Sequence, residues 1–107
     1  MKKLPILLLA IFLSAGSLSA QSVDIKKLLQ QAKQGDAKAQ FTLGLMYDNG
    51  QGVPQDYVQA HMWFNLSAAQ GDAYAAMVRD LNLRQRMTPQ QIAQAEELAR
   101  NWKPKKK

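Results

Sequence analysis

The sequence contains no cysteine, one histidine (His61) and a single long hydrophobic run, which lies at its N-terminus. Without cysteine, a small exported fold loses the disulfides that such domains often use, and packing alone must hold it. One histidine and no cysteine also leave too few soft ligands to complete a metal site. Serine is scarce beyond residue 20, where only Ser22 and Ser67 occur. His61 and Ser67 are six residues apart, about 240° around a helix, so they point to different sides. A nucleophile–base pair would need Ser22 to approach from elsewhere. Glu96 and Glu97 are adjacent and diverge by about 100° on a helix, so they form no converging acid–base pair. Gly50-Gln51-Gly52 has neither the preceding strand nor the Lys-Ser/Thr ending of a phosphate loop. These absences argue against an enzyme, and no cofactor or metal is expected.

What is present begins with an address. Lys2 and Lys3 precede an apolar stretch from Leu4 to Leu13, broken only by Pro5, and small residues follow up to Ala20. Charge, apolar core and small-residue exit make residues 1–20 a secretory signal peptide in this reading. The run is shorter than the roughly 20 residues needed to span a bilayer. Cleavage after Ala20 is preferred, with cuts after Ser17 or Ser19 left open. The processed chain is expected in the periplasm or secreted, with no integral membrane segment.

The rest is one small domain. Residues 21–78 carry four Lys against five Asp, whereas from Arg79 onward eight Lys or Arg face Asp80, Glu96 and Glu97. The basic character therefore belongs to the C-terminal third and its tail, residues 103–107. A nucleic-acid site would interleave basic residues with stacking aromatics, which this stretch does not do, so no nucleic acid is expected. The tail reads as solvated, or as weakly attracted to an anionic envelope surface.

Internal similarity organises the domain. Gln34-Gly35-Asp36-Ala37-Lys38-Ala39 returns as Gln70-Gly71-Asp72-Ala73-Tyr74-Ala75, a shift of 36 residues. One complete unit, about residues 37–72, is preceded by half a unit and followed by a degenerate one. Each Gly-Asp pair closes one helix and caps the next. Helices are expected over about 37–48 and from Asp56 to about 70, joined by the turn-rich Asn49–Pro54. Asp56 with Gln59, and Thr88 with Gln91, are candidate capping boxes. Thr88-Pro89 opens a last helix, residues 88–102, with Ile92, Ala95, Leu98, Ala99 and Trp102 on one stripe.

The first helix of the unit has two apolar stripes: Ala39, Leu43, Met46 and Tyr47 on one side, Phe41 and Leu45 on the other. The second does too: Tyr57, Ala60, Trp63, Phe64, Ser67 and Ala68 against Val58, Met62, Leu66 and Ala69. A helix apolar on two sides is sandwiched between neighbours, as in a stack of helical pairs. Gly44 in mid-helix costs up to about 1 kcal/mol relative to Ala, which a close helix–helix approach would offset. His61 and Asn65 read as a polar strip between buried faces. The Val58–Met62–Leu66 stripe is expected to stay partly exposed and to serve binding.

The order Ala37-x-Ala39-Gln40-x-x-Leu43-Gly44-x-Met46-Tyr47-x-x-Gly50-x-Gly52-Val53, then Asp56-Tyr57-x-x-Ala60-x-x-Trp63 and Ala68-x-Gln70-Gly71, resembles the Sel-one-like repeat, a relative of the tetratricopeptide repeat. Arg86 to Arg100 is similar to the closing helix of short bacterial members. The resemblance implies an all-α fold: a short α-solenoid of antiparallel pairs, about five helices, spanning residues 21–102. Ala39, Leu43, Gly44, Tyr47, Gly50, Gly52, Ala60, Trp63, Ala68 and Gly71 define the repeat. The degenerate unit has Arg79 and Asp80 where the complete one has Leu43 and Gly44, so its tight helix contact is expected to be lost.

The resemblance also implies a non-enzymatic adaptor or regulator that binds a protein or peptide. Gln40, Tyr47, His61, Met62 and Asn65 are the candidate contact residues. Self-assembly into an envelope structure, as a homo-oligomer, is the alternative. A remote third reading, hydrolysis of cell-wall or β-lactam-like substrates, is raised by cysteine-rich relatives whose cysteines this chain lacks.

Overall fold

A computed structural model describes residues 24–105, so the expected signal peptide lies outside the described residues. Among the described residues five α-helices follow in order: α1 (Ile25–Lys33), α2 (Ala37–Asn49), α3 (Tyr57–Ala69), α4 (Ala73–Val78) and α5 (Pro89–Asn101). No strand occurs among the described residues, and the architecture is the expected all-α stack.

Each helix starts where a short polar side chain can take up a free N–H. Asp24, Asp36, Asp56 and Asp72 accept from Lys27, Ala39, Gln59 and Ala75 at 2.9 to 3.1 Å. At Thr88 the box is complete: Gln91 N–H donates to Thr88 Oγ1 at 3.1 Å, and Thr88 N–H donates to Gln91 Oε1 at 2.9 Å. At Asp56 only the forward bond from Gln59 N–H forms. The helix ends are equally explicit. Gly50 closes α2 with φ 70°, a left-handed conformation that glycine adopts without steric cost.

The two apolar sides of α2 and α3 feed two cores. One joins Leu28 and Ala32 of α1 to Ala39, Leu43 and Met46 of α2 and Met62, Trp63 and Leu66 of α3. The other gathers Ala60 and Phe64 of α3 with Ala75, Leu83, Met87 and Ala95, and Phe41 and Leu45 pack against it. The stripes expected on α2 are therefore observed. On α3, Trp63 sides with Met62 and Leu66, and Val58 packs with the Phe64 cluster, opposite to the assignment from spacing. Both residues lie at the borders of their faces, where a long or branched side chain can turn either way.

The degenerate unit departs from a plain helix pair. After α4, Arg79–Leu83 forms a π-helical turn, with Arg84 N–H bonded to Arg79 O, and Arg84–Arg86 a 3₁₀ turn. In an uninterrupted α-helix, Asn82 would lie beneath Ala75. The wider turn delays the register by about one residue, so Leu83 enters the core instead, fully buried. Asp80 is left exposed. As expected, the tight pairing is lost: α5 packs mainly on α3 and scarcely touches α4.

Helix α5 then lays Ala95 into the second core and Ala99 and Trp102 against the first. Trp102 meets Trp63 edge to face at 6.3 Å. Leu98 does not join this stripe and is exposed. The chain continues extended, and Lys105 N–H donates to Lys33 O at 2.7 Å, satisfying a carbonyl at the end of α1. The start of the tail, expected to be free in solvent, is in this way fastened to the opposite end of the stack.

Candidate interaction surface

The proposed contact residues do not form one exposed surface. Gln40 is fully buried: its Nε2 donates to Ala32 O at 3.1 Å, and its Oε1 accepts from Gln70 Nε2 at 2.8 Å. It ties the ends of α1 and α3 to α2, with its polar groups satisfied. Met62 is buried as well, because α1 and α5 close over the stripe that was expected to remain open. Leu66 is buried with it. Tyr47 is half-buried between the two cores.

His61 is also buried, and Asn65 is half-buried beside it. The His61 ring Nδ1 and Asn65 Nδ2 are 3.0 Å apart, and Asn65 Oδ1 accepts from Arg79 Nη1 at 2.6 Å. Arg79 also pairs with Asp80, at 2.7 Å from Nε to Oδ1, and Arg84 approaches the same carboxylate at 3.6 Å. The polar strip read between two buried faces is real, and the π-helical turn covers it. Burial and the nearby Arg79 and Arg84 cations hold the His61 pKa down to about 4. Its Nε2 has no hydrogen-bond partner among the described residues. The Asp80 carboxyl is held below its usual value, first by the hydrogen bond from Arg79.

What stands open was not singled out by spacing. Tyr74, Met77 and Leu81 are 58%, 45% and 67% exposed and follow one another along α4 and the π-helical turn at intervals of three and four. They form one apolar stripe. Tyr74 stands on Phe41 of α2, ring centroids 5.5 Å apart, and Phe41 on buried Phe64 at 5.6 Å. The signal was present in the repeat itself: the degenerate unit has no second helix over α4. A shallow groove of about 220 Å³ also runs between α1 and α2, lined by Leu28, Gln31, Asp36, Lys38, Ala39 and Thr42.

The repeat-defining positions are structural. Leu43 and Ala60 are fully buried, and Ala39 and Trp63 nearly so, while Ala68 is half-buried beside them. Gly50, Gly52 and Gly71 have φ of 70°, 74° and 103° at the helix connections. Gly44 lies against the Phe64 ring, where a Cβ would overlap it.

The sequence model of the Sel1 repeat matches residues 37–72, the segment occupied by α2, α3 and the turn into α4. The chain contains a Sel1 repeat. The match covers the complete unit found by self-similarity. Comparisons with curated proteins and with solved structures give no match. Sel1 repeats generally mediate protein–protein interaction and are typically non-enzymatic. Among the described residues there is no group of three or more His, Asp or Glu placed to hold a metal ion, and no helix long and apolar enough to cross a membrane.

Proposed function

We propose that this Sel1-like repeat protein is an exported, non-enzymatic adaptor that binds a protein partner in the bacterial periplasm through the open end of its stack. The observation that carries the reading is the Tyr74–Met77–Leu81 stripe, which lies where a longer solenoid would place its next helix. A helix of the partner with apolar side chains at intervals of three and four would complete that layer. The Phe41–Tyr74 stack backs the stripe from within and fixes its edge. Lys2, Lys3, the apolar run and the small residues before Gln21 support export.

The test is crosslinking in cells with a photoreactive residue at Leu81, beside a control at Gln94 on the exposed side of α5. A discrete envelope protein captured from position 81 alone, and lost on Met77→Glu, is the expected result. Capture of the chain itself in multiples would move the reading to the self-assembling alternative. Equal labelling from both positions, or a cytoplasmic pool only, would overturn the adaptor reading.

A further inference from the structure

The basic residues of the chain divide into two classes. All three ion pairs among the described residues use arginine: Arg79 and Arg84 with Asp80, and Arg86 with Asp48. No described lysine is in an ion pair. Asp24 and Asp36, the carboxylates nearest the lysines in sequence, accept backbone N–H groups at the starts of α1 and α2 and keep their negative charge there. The lysines are therefore cations without a direct carboxylate contact among the described residues.

The fold gathers several of them. Lys26 and Lys33 are seven residues apart on α1, two turns along one face and about 10 Å in rise. Lys26 is exposed and Lys33 half-buried, while the apolar side of α1, Leu28 and Ala32, is turned into the first core. Fastening Lys105 N–H to Lys33 O brings the tail onto the same pole, and a Cβ on Gly35 would lie 3.9 Å from Pro104 Cβ. Lys103 and Lys105 are exposed on either side of that proline, and Lys106 and Lys107 follow in the sequence. Two segments about seventy residues apart in the chain thus contribute to one basic pole, even though like charges repel at this spacing.

We propose that this pole, built from Lys26, Lys33, Lys103 and Lys105, docks the protein on a membrane surface rich in anionic phospholipid. The chemistry favours such a surface over the alternatives. Lysine is a mobile point charge suited to a diffuse field of phosphates, whereas arginine is the residue for bidentate recognition of a defined acidic group. Nucleic acid would call for an exposed aromatic among the lysines, and the one aromatic here, Trp102, is turned onto Trp63. The pole uses none of the residues of the Tyr74 stripe, so the inference stands apart from the adaptor reading. If both hold, the protein lies on the membrane while its stripe stays free to bind.

The test is co-sedimentation of the signal-free chain, residues 21–107, with vesicles of phosphatidylcholine alone and of phosphatidylcholine mixed with phosphatidylglycerol. Binding to the anionic vesicles only is expected, weakening as salt rises from about 0.1 M to about 1 M and the screening length falls to about 3 Å. Replacing all four lysines by glutamine should lower partitioning by roughly six hundredfold, since each contributes roughly a fivefold factor near a charged surface. Lys26→Glu with Lys33→Glu, which leaves the tail intact, should also abolish binding. Circular dichroism on the same samples confirms that each variant is folded. Retained binding in the α1 pair would show that a loose tail suffices and would overturn the composite surface. Equal binding to neutral vesicles would overturn the proposal, as would no binding to anionic ones. Tighter capture by polyglutamate or by single-stranded DNA at matched charge and salt would assign the pole to another partner and overturn the lipid reading.

Discussion

Gly44 and Phe64 touch where α2 crosses α3: a Cβ built on Gly44 would stand 2.5 Å from Phe64 Cδ1 and closer still to Cε1. Phe64 is fully buried, so its ring has no open side to move into. Gly44→Ala would gain up to about 1 kcal/mol of helix propensity, yet overpacking of this kind costs about 1–3 kcal/mol. The clash should win, and the variant should unfold at lower urea concentration than the parent. Phe64→Leu in the same background should recover part of the loss, because a shorter side chain admits the methyl. A double-mutant cycle in urea showing no coupling between the two positions would disprove the contact.

The Gly44 contact was legible in the sequence because a mid-helix glycine in an apolar stripe needs a reason, and helix crossing supplies one. The paired Gly-Asp punctuation at residues 35–36 and 71–72 was legible for a similar reason: C-cap and N-cap chemistry is local. What could not be read was which residues distant segments would cover. Spacing placed His61, Met62 and Gln40 on helix faces but could not reveal that α5, α1 and the π-helical turn close over them. The faces of Trp63 and Val58 were misassigned because both sit at stripe borders, where periodicity does not decide. The degenerate unit signalled an uncovered α4, but not that Tyr74, Met77 and Leu81 would line up on it, because their register is shifted by a π-helical turn that propensity does not foretell.

Asp48 makes a different kind of long-range contact. It sits, buried, in the last turn of α2, where the carbonyl end of the helix disfavours a carboxylate. Arg86 meets it at 2.9 Å from across the fold and lies 5.1 Å over the Tyr57 ring. Arg86 also bonds Asn82, and Asp48 holds its guanidinium above the ordinary arginine value. Arg86→Gln should cost about 1–3 kcal/mol: more than a surface pair, because Asp48 is left buried and unpaired, and less than a fully buried pair, because Arg86 is partly in solvent. Asp48→Asn together with Arg86→Gln should be milder than Arg86→Gln alone. Thermal melts that rank the double variant as the less stable would contradict this account.

His61 makes stability depend on acid. In the fold its pKa lies near 4, and in the unfolded chain near 6.5, so the unfolded state binds the proton first. Stability from this group is therefore complete above about pH 6.5 and is lost as pH falls towards 4, by up to about 3 kcal/mol. Arg79 and Arg84 in the turns after α4 oppose protonation, and Glu96 of α5 and Asp80 favour it. Urea midpoints measured from pH 7 downward should fall across this window, and His61→Gln should flatten the slope. A slope that His61→Gln leaves intact would place the acid sensitivity elsewhere.

Trp102 closes the stack from the far end of α5. Its edge contact with Trp63 joins the last helix to the first core, and the extended residues beyond it reach α1. Trp102→Ala should uncover the Trp63 ring and loosen both α5 and the tail. The cost should be at most the roughly 3 kcal/mol of a fully buried aromatic truncation, because Trp102 is itself half-buried. Trp63 and Trp102 are the only tryptophans in the chain, so the variant reports on Trp63 alone. Its emission should shift to the red as water reaches the ring, and amide exchange should quicken in α5 before it does in α2. Unchanged Trp63 emission would mean that the first core seals without its terminal helix, and that the tail contact to α1 is not held through Trp102.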